Sequence, residues 1–162
     1  MTFEFDRFLD ETGWQLLQEL QRNARLSYSE LGQRVGLSAP AVAERIHKME
    51  EAGIITAYRA EVDPAKLGLP ITAIIRVSTY PGESHARFTA LTKEIPEILE
   101  CYRVTGSDSF IVMLLVSTVG HLEALIDRLA EHGQITTSIV LSTPIARRII
   151  TRELYLTEQE QE

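Results

Sequence analysis

The chain has a single cysteine, Cys101, in 162 residues. One thiol cannot close an internal disulfide or build a cysteine-rich zinc site, and it suits a reducing cytoplasm. No apolar run approaches the ~20 residues that a membrane-spanning helix needs. The stretch from Met1 to Asp10 is acidic and aromatic, without the basic start and apolar core of a signal peptide. The histidines, His47, His85, His121 and His132, show no metal-ligating spacing. Serine, cysteine and histidine form no nucleophile motif, and no glycine-rich phosphate loop is present. No catalytic residue, metal or cofactor is therefore expected, and His85 and His121, near helix starts, read as surface residues. Positive charge is also scarce: 16 Lys and Arg against 23 Asp and Glu leave a net charge of −7. DNA binding draws on neutralisation of phosphates by Lys and Arg. The balance excludes a general nucleic-acid coat, so any DNA contact must come from a local patch and from more than one copy of the chain.

What is present is a soluble globular composition, 44% hydrophobic, of a length that fits one large domain or two small ones. Leu16, Leu17 and Leu20, with Trp14 beside them, give an apolar stripe that predicts a helix from about Glu11 to Asn23. Ser27-Tyr28-Ser29-Glu30 is a Ser-x-x-Glu capping box that opens a second helix, with Leu31 and Val35 on its inner side. Gly36 supplies a tight turn and Ser38 the next N-cap. Pro40 then falls in the first turn, where its missing N–H has no helical partner to lose. Val42, Ile46 and Met49 share one face of this third helix, and Gly53 is placed to end it as a left-handed cap. Stepping 100° per residue puts Pro40, Glu44, His47, Lys48 and Glu51 on the opposite face, flanked by Ala41 and Ala43. The first turn thus offers only small or flat side chains, the shape that close approach to a groove requires.

Three short helices, the last two joined at a glycine, read as a helix-turn-helix. "IITAYRAEV" alternates and is β-branched, which predicts a strand packed beside the helices as a wing. The same spacing fits a small three-helix domain that binds no DNA. "DPAKLGLP", residues 63–70, is a break and marks a hinge between a domain of residues 1–62 and one of residues 71–162. Beyond it, "ITAIIRVST", "EILECYRV", "FIVMLLV" and "ITTSIVLS" read as strands, with "IARRIITRELYL" as a fifth. Helices over residues 84–95 and 119–131 separate them. "FIVMLLV" is apolar on both sides and so belongs in the centre of a sheet. The order β-α-β-β-α-β is the ferredoxin-like arrangement, making the chain α+β. Its two helices cover one sheet face. The other, apolar, face calls for a second copy of the chain as its cover.

The helix-one segment "WQLLQELQRNAR", the run "SYSELGQRVGLSAPAVAERIHKMEEAGIITAYRAEVDPAKLG", and the later "YRVTGSDSF" and "TTSIVLS" together resemble the Lrp/AsnC family of transcription regulators. The resemblance spans about Phe8 to Leu156. It implies an N-terminal winged helix-turn-helix and a C-terminal ferredoxin-like domain, often called RAM, that dimerises. It further implies assembly of dimers into octamers and a small-molecule effector, usually an amino acid, bound between dimers; two recognition helices reading successive half-sites about one turn apart favour a pseudo-palindromic double-stranded DNA operator.

Carried onto this chain, the resemblance places Ser38, Ala39, Pro40, Ala43, Glu44, His47 and Lys48 at the major groove or its flanking phosphates. The helix start at Ser38 offers N–H groups to phosphate. Glu44 suits a cytosine amine, while His47 and Lys48 suit guanine or phosphate. A solvated helix charge is an equal account of Glu44. Arg45 lies off the groove face and is expected to brace the domain or touch a phosphate. Arg25 and Arg34 are phosphate candidates, with ordinary surface charge as the alternative. The effector is assigned to Thr105, Gly106, Ser107 and Asp108, where Gly106 gives room and the acid can hold an amino group, and to Thr137. A polar hairpin turn is the plain alternative for that loop. Ile135 stands where the family often has threonine, which favours an apolar or aromatic ligand, or a weakly bound one. Two other readings share the fold: a sirohaem-decarboxylase-like enzyme, and a ligand-sensing assembly protein without DNA binding.

Overall fold

The computed structural model describes residues 8–159. The chain forms two compact units, one comprising the chain up to Ala60 together with the segment from Ile145 onward, the other Glu61–Pro144. The expected second domain of residues 71–162 therefore loses its C-terminal part to the first unit.

The first unit is built on α1 (Glu11–Arg22), α2 (Tyr28–Val35) and α3 (Ala39–Glu51). Each begins where a side chain takes an orphan N–H of the first turn. Asp10 accepts from Gly13, Ser27 and Glu30 cap each other reciprocally, and Ser38 accepts from Ala41. Gly36, at φ 73°, turns the chain from α2 into α3. At the end of α3, Gly53 at φ 70° donates to the Glu50 carbonyl while Ile54 donates to that of Met49. That pair of bonds is the Schellman closure. Leu16, Leu20, Leu31, Val42 and Ile46 form the buried core of the unit, with Ile55 packed against it.

Two expected strands are absent. Residues 54–62 carry no strand, so the described structure has no wing; Ile54 and Ile55 instead donate to the Met49 carbonyl. The segment predicted as a fifth strand runs irregularly to Thr151 and then forms α6 (Arg152–Gln159). β-propensity gives a strand only where a ladder partner lies alongside. Here the Gln21 side-chain amide takes that place, accepting from the Ile150 N–H at 2.8 Å and donating to its carbonyl at 2.9 Å. Tyr155 of α6 stacks on Trp14, ring centroids 5.5 Å apart.

The second unit contains β1 (Ile71–Thr79), α4 (His85–Glu94), β2 (Ile98–Arg103), β3 (Phe110–Val116), α5 (Val119–Ala130) and β4 (Gly133–Ile139). The sheet order is β2-β3-β1-β4, with every neighbouring pair antiparallel, and β3 is central as its two-sided apolar sequence required. One sheet face packs on α4 and α5 through Ile75, Val77, Phe110, Val112 and Leu114, against Phe88, Leu122 and Leu129. The predicted hinge is a 3-10 turn, Pro64–Leu67, capped by Asp63 and closed by Gly68. His132 is buried, with Nδ1 3.1 Å from a Glu83 carboxylate oxygen, clasping the β1–α4 turn to the α5–β4 turn. His85 and His121, read as surface residues, are half-buried. His85 meets Phe110 edge-on, and His121 Nε2 lies 2.9 Å from Glu97.

Candidate nucleic-acid interface and effector site

The outer side of α3 is set by its inner side. Val42, Ile46 and Met49 are 0–1% exposed, and the residues opposite them face water. Ser38, Pro40, Glu44, His47 and Lys48 are exposed, while Ala39 and Ala43 are half-buried. Ser38 spends its hydroxyl on the Ala41 N–H at 3.4 Å. Lys48 Nζ bonds Glu44 at 2.6 Å along the helix, and that bond holds the Glu44 carboxyl below the usual range. His47 Nε2 lies 3.3 Å from Glu51 and Nδ1 3.9 Å from Glu50. An open cavity of about 790 Å³ flanks this stripe, lined in part by Ala41, Glu44, Arg45 and Lys48.

The remaining basic candidates are not alike. Arg25 is exposed in the α1–α2 turn, where its N–H donates to the Asn23 side chain at 3.0 Å. Arg34, in the last turn of α2, is drawn to Glu19 of α1, which also holds Arg22 at 2.9 Å. The guanidinium of Arg34 holds the Glu19 carboxyl below its usual range. Arg34 is thus a brace between helices. Arg45 makes a two-armed bond to Asp10, at 2.8 and 2.9 Å. Of the two roles expected off the groove face, brace or phosphate contact, this bond supplies the brace; its partner, 35 positions earlier, leaves no local signal in the sequence.

In the second unit, Thr105, Gly106 and Ser107 are exposed at the tip of the β2–β3 connection, with Gly106 at φ 111°, and Asp108 is half-buried. The loop is pinned to the end of β1 by residues that sequence reasoning missed. Ser78 Oγ donates to the Ser107 carbonyl at 2.7 Å, Ser109 N–H donates to the Val77 carbonyl at 2.8 Å, and the Thr79 and Ser109 hydroxyls lie 3.0 Å apart. Ile135 and Thr137 pair with Val77 and Ile75, so they lie on the helix-facing side of β4. Thr137 pairs with Ile75 at the middle of β1, whereas the loop lies past the Val77 end of that strand and on its other side, so the two stand apart within one chain. Thr137 Oγ1 is buried with no hydrogen-bond partner among the described residues. Those residues also contain no group of three or more metal-ligating side chains, and no helix long and apolar enough to cross a membrane.

Both parts of the chain have counterparts among known proteins. Residues 9–50 match the family model of the AsnC-type helix-turn-helix domain, and residues 72–150 that of the Lrp/AsnC ligand binding domain. The chain is 39% identical over 135 residues to the uncharacterized HTH-type transcriptional regulator YezC of Bacillus subtilis (strain 168), covering 83% of this chain and 95% of that one. The chain belongs to the Lrp/AsnC family. Regulatory protein AsnC of Escherichia coli (strain K12) is 31% identical over 138 residues, 83% of this chain and 91% of its own. Among solved structures, LrpC of B. subtilis superposes with a TM-score of 0.81 at 31% identity, over 86% of this chain and 99% of that one. A transcriptional regulator of Neisseria meningitidis, solved as its complex with L-Met, gives 0.82 at 31% identity, over 90% and 99%. The fold of this Lrp/AsnC regulator and its helix-turn-helix agree with the expectation from sequence, and its relatives are named as transcriptional regulators rather than enzymes.

Proposed function

We propose that the protein works in the cytoplasm as a dimer-based, sequence-specific DNA-binding regulator whose α3 enters the major groove. The supporting observation is the outer face of α3: flat at its first turn, then Glu44, His47 and Lys48 exposed, on a helix locked from behind by three buried side chains. Ser38, Ala39, Pro40 and Ala43 allow close approach; Glu44 and His47 read bases; Lys48 and Arg25 meet phosphates. Arg34 is kept as a phosphate neighbour only through its exposed edge, since Glu19 already holds it. Two copies present two such helices, which compensates for the acidic net charge and favours a pseudo-palindrome with half-sites about one helical turn apart.

The effector proposed here is an apolar or aromatic amino acid. The loop Thr105–Asp108 supplies backbone groups and a carboxylate for the amino group, Thr137 supplies a hydroxyl without a partner, and Ile135 makes the floor apolar. Because the loop and Thr137 lie apart within one chain, a site assembled between copies, in a dimer or an octamer, accommodates both. The experiment that tests the main reading is selection of bound duplexes from a random pool, followed by anisotropy titration at two salt concentrations. A recovered pseudo-palindrome with a steep salt slope supports it; no enrichment with folded, assembled protein removes it. Calorimetry showing tight binding of lysine or aspartate and none of leucine or phenylalanine removes the effector class.

A further inference from the structure

A reading helix must be held in roll as well as in place. The buried contacts of α3 through Val42, Ile46 and Met49 are apolar and therefore weakly directional. Most polar contacts of its side chains, Lys48 with Glu44 and His47 with Glu50 and Glu51, run along the helix itself. Among the described residues, two side-chain bonds reach from α3 to other parts of its unit. Tyr58 donates to Glu50 at 2.8 Å, and Arg45 donates through both arms to Asp10.

The Arg45 bond is the more restrictive of the two. A planar guanidinium on a carboxylate fixes direction as well as distance. Its acceptor is itself held. Asp10 is the N-cap of α1 and takes the Gly13 N–H at 2.8 Å. The start of α1 also packs against α3: a Cβ on Gly13 would stand 3.2 Å from Met49 Cε. Arg45 follows Glu44 directly and precedes Lys48 by just under one turn, so whatever fixes Arg45 fixes the direction of both. Side-chain tips stand roughly 5–6 Å from a helix axis, so a roll of about 10° moves them about 1 Å. That displacement takes a hydrogen bond out of its narrow range of distance.

We propose that Asp10, outside the reading helix, is a positioning residue for DNA discrimination, setting the roll of α3 through the Arg45 fork. This rests on α3 being the DNA reader. The rival account is that Arg45 itself touches a phosphate and Asp10 merely parks it.

The test uses the full chain and two duplexes, one selected by the wild-type protein and one scrambled. Asp10→Ser keeps an N-cap and removes the fork; Arg45→Lys keeps the charge and removes the fork; Arg45→Gln removes both. Positioning predicts that all three lower the preference for the selected duplex about tenfold, the scale of one lost bidentate base contact. Asp10→Ser combined with Arg45→Gln then costs no more than either alone, and affinity for the scrambled duplex and the salt slope stay at wild-type values. The proposal is overturned if Asp10→Ser keeps the wild-type preference. It is equally overturned if Arg45→Lys is near wild type while Arg45→Gln weakens both duplexes and reduces the salt slope by about one. Because Arg45→Lys leaves Asp10 and its cap intact, a folding defect of Asp10→Ser does not hide the answer. Wild-type protein that selects no duplex overturns the reading of α3 itself, a result distinct from either of these.

Discussion

Lys48 and Glu44 stand one turn apart on α3, bonded to each other and exposed. Any phosphate that recruits Lys48 must compete with Glu44. Lys48→Glu therefore should weaken binding broadly, about equally on selected and scrambled duplexes, since it places repulsion at the phosphates. Glu44→Ala frees Lys48 and deletes the acceptor proposed for a base amine, so it should change sequence preference more than affinity. Anisotropy with both duplexes separates the two, and small, equal effects from both substitutions would mean that α3 is not the reader. Thr137 gives a second residue-scale expectation. Its hydroxyl is buried without a partner, so the near-isosteric Thr137→Val removes an uncompensated polar group and should be neutral or stabilising by about 1 kcal/mol in thermal melts. If an effector uses that hydroxyl, the same variant should bind its amino acid more weakly in calorimetry. A destabilised variant would show that the hydroxyl has a partner in the folded protein.

Charge at the helix ends gives a pH dependence with a definite sign. The Arg45 fork is the main cause that lowers the Asp10 pKa below the usual 3.8, and Arg34 does the same for Glu19 below 4.5. Carboxyls with depressed folded-state values contribute stability that is present above the unfolded values and is lost as pH falls through the folded ones. These two carboxyls should thus make their contribution to stability from neutral pH down to about 4.5 and lose that contribution below about 4. Solvent screening keeps the effect modest, since Asp10 is 48% and Arg34 53% exposed in its side chain. Asp10→Ser should flatten this acid limb in melts followed by circular dichroism, and an unchanged limb would count against the fork as its source.

At the scale of elements, Gly133 marks a close approach. It begins β4 opposite Thr79, and a Cβ there would stand 2.5 Å from the Ser78 carbonyl oxygen. Gly133→Ala must push β4 away from the stretch of β1 that pins the β2–β3 loop. It should cost more than Gly36→Ala, where the added Cβ meets nothing and the cost is the left-handed backbone alone, roughly 1–2 kcal/mol. Denaturant melts of the two variants check the order. The contrast also explains what could be read from sequence. Helix starts and stops are local chemistry, and Ser27 with Glu30, Ser38 with Pro40, and Gly53 all act within a few residues. The exposed stripe on α3 followed from 100° stepping alone. The wing and the fifth strand were not legible because a strand depends on an edge elsewhere in the chain, and the Gln21 amide took the place of that edge for Ile150. The same holds for the sites: "TGSDS" was visible as a loop, but its pins, Ser78 and Thr79, come from about 30 residues away.

At the scale of the whole molecule, the proposed dimer is tested on the sheet face turned away from α4 and α5. Across it run two rows set by register: Tyr102, Ile111, Arg76 and Thr136, then Glu100, Met113, Ile74 and Ser138. Its centre is apolar and its edges polar, with Ile74 at 37% and Tyr102 at 53% exposure. A second copy laid on this face buries that centre and, with it, Arg76. A buried guanidinium without a counter-charge is costly, so Arg76 needs an acid across the interface. Glu100, the acid in the neighbouring row of the same face, is the complement that a two-fold pairing can supply. Arg76→Glu alone and Glu100→Arg alone should each give monomers at micromolar concentration in analytical ultracentrifugation, and the exchanged pair together should restore the dimer. Affinity for a pseudo-palindromic duplex should follow the same pattern, falling toward that of a single half-site in the monomeric variants, because one chain offers one copy of α3, the helix proposed to read DNA. Single variants that remain dimeric would place the interface elsewhere on the sheet or off it. Monomeric single variants that the exchange does not rescue would keep the face as the interface and remove Glu100 as the partner of Arg76.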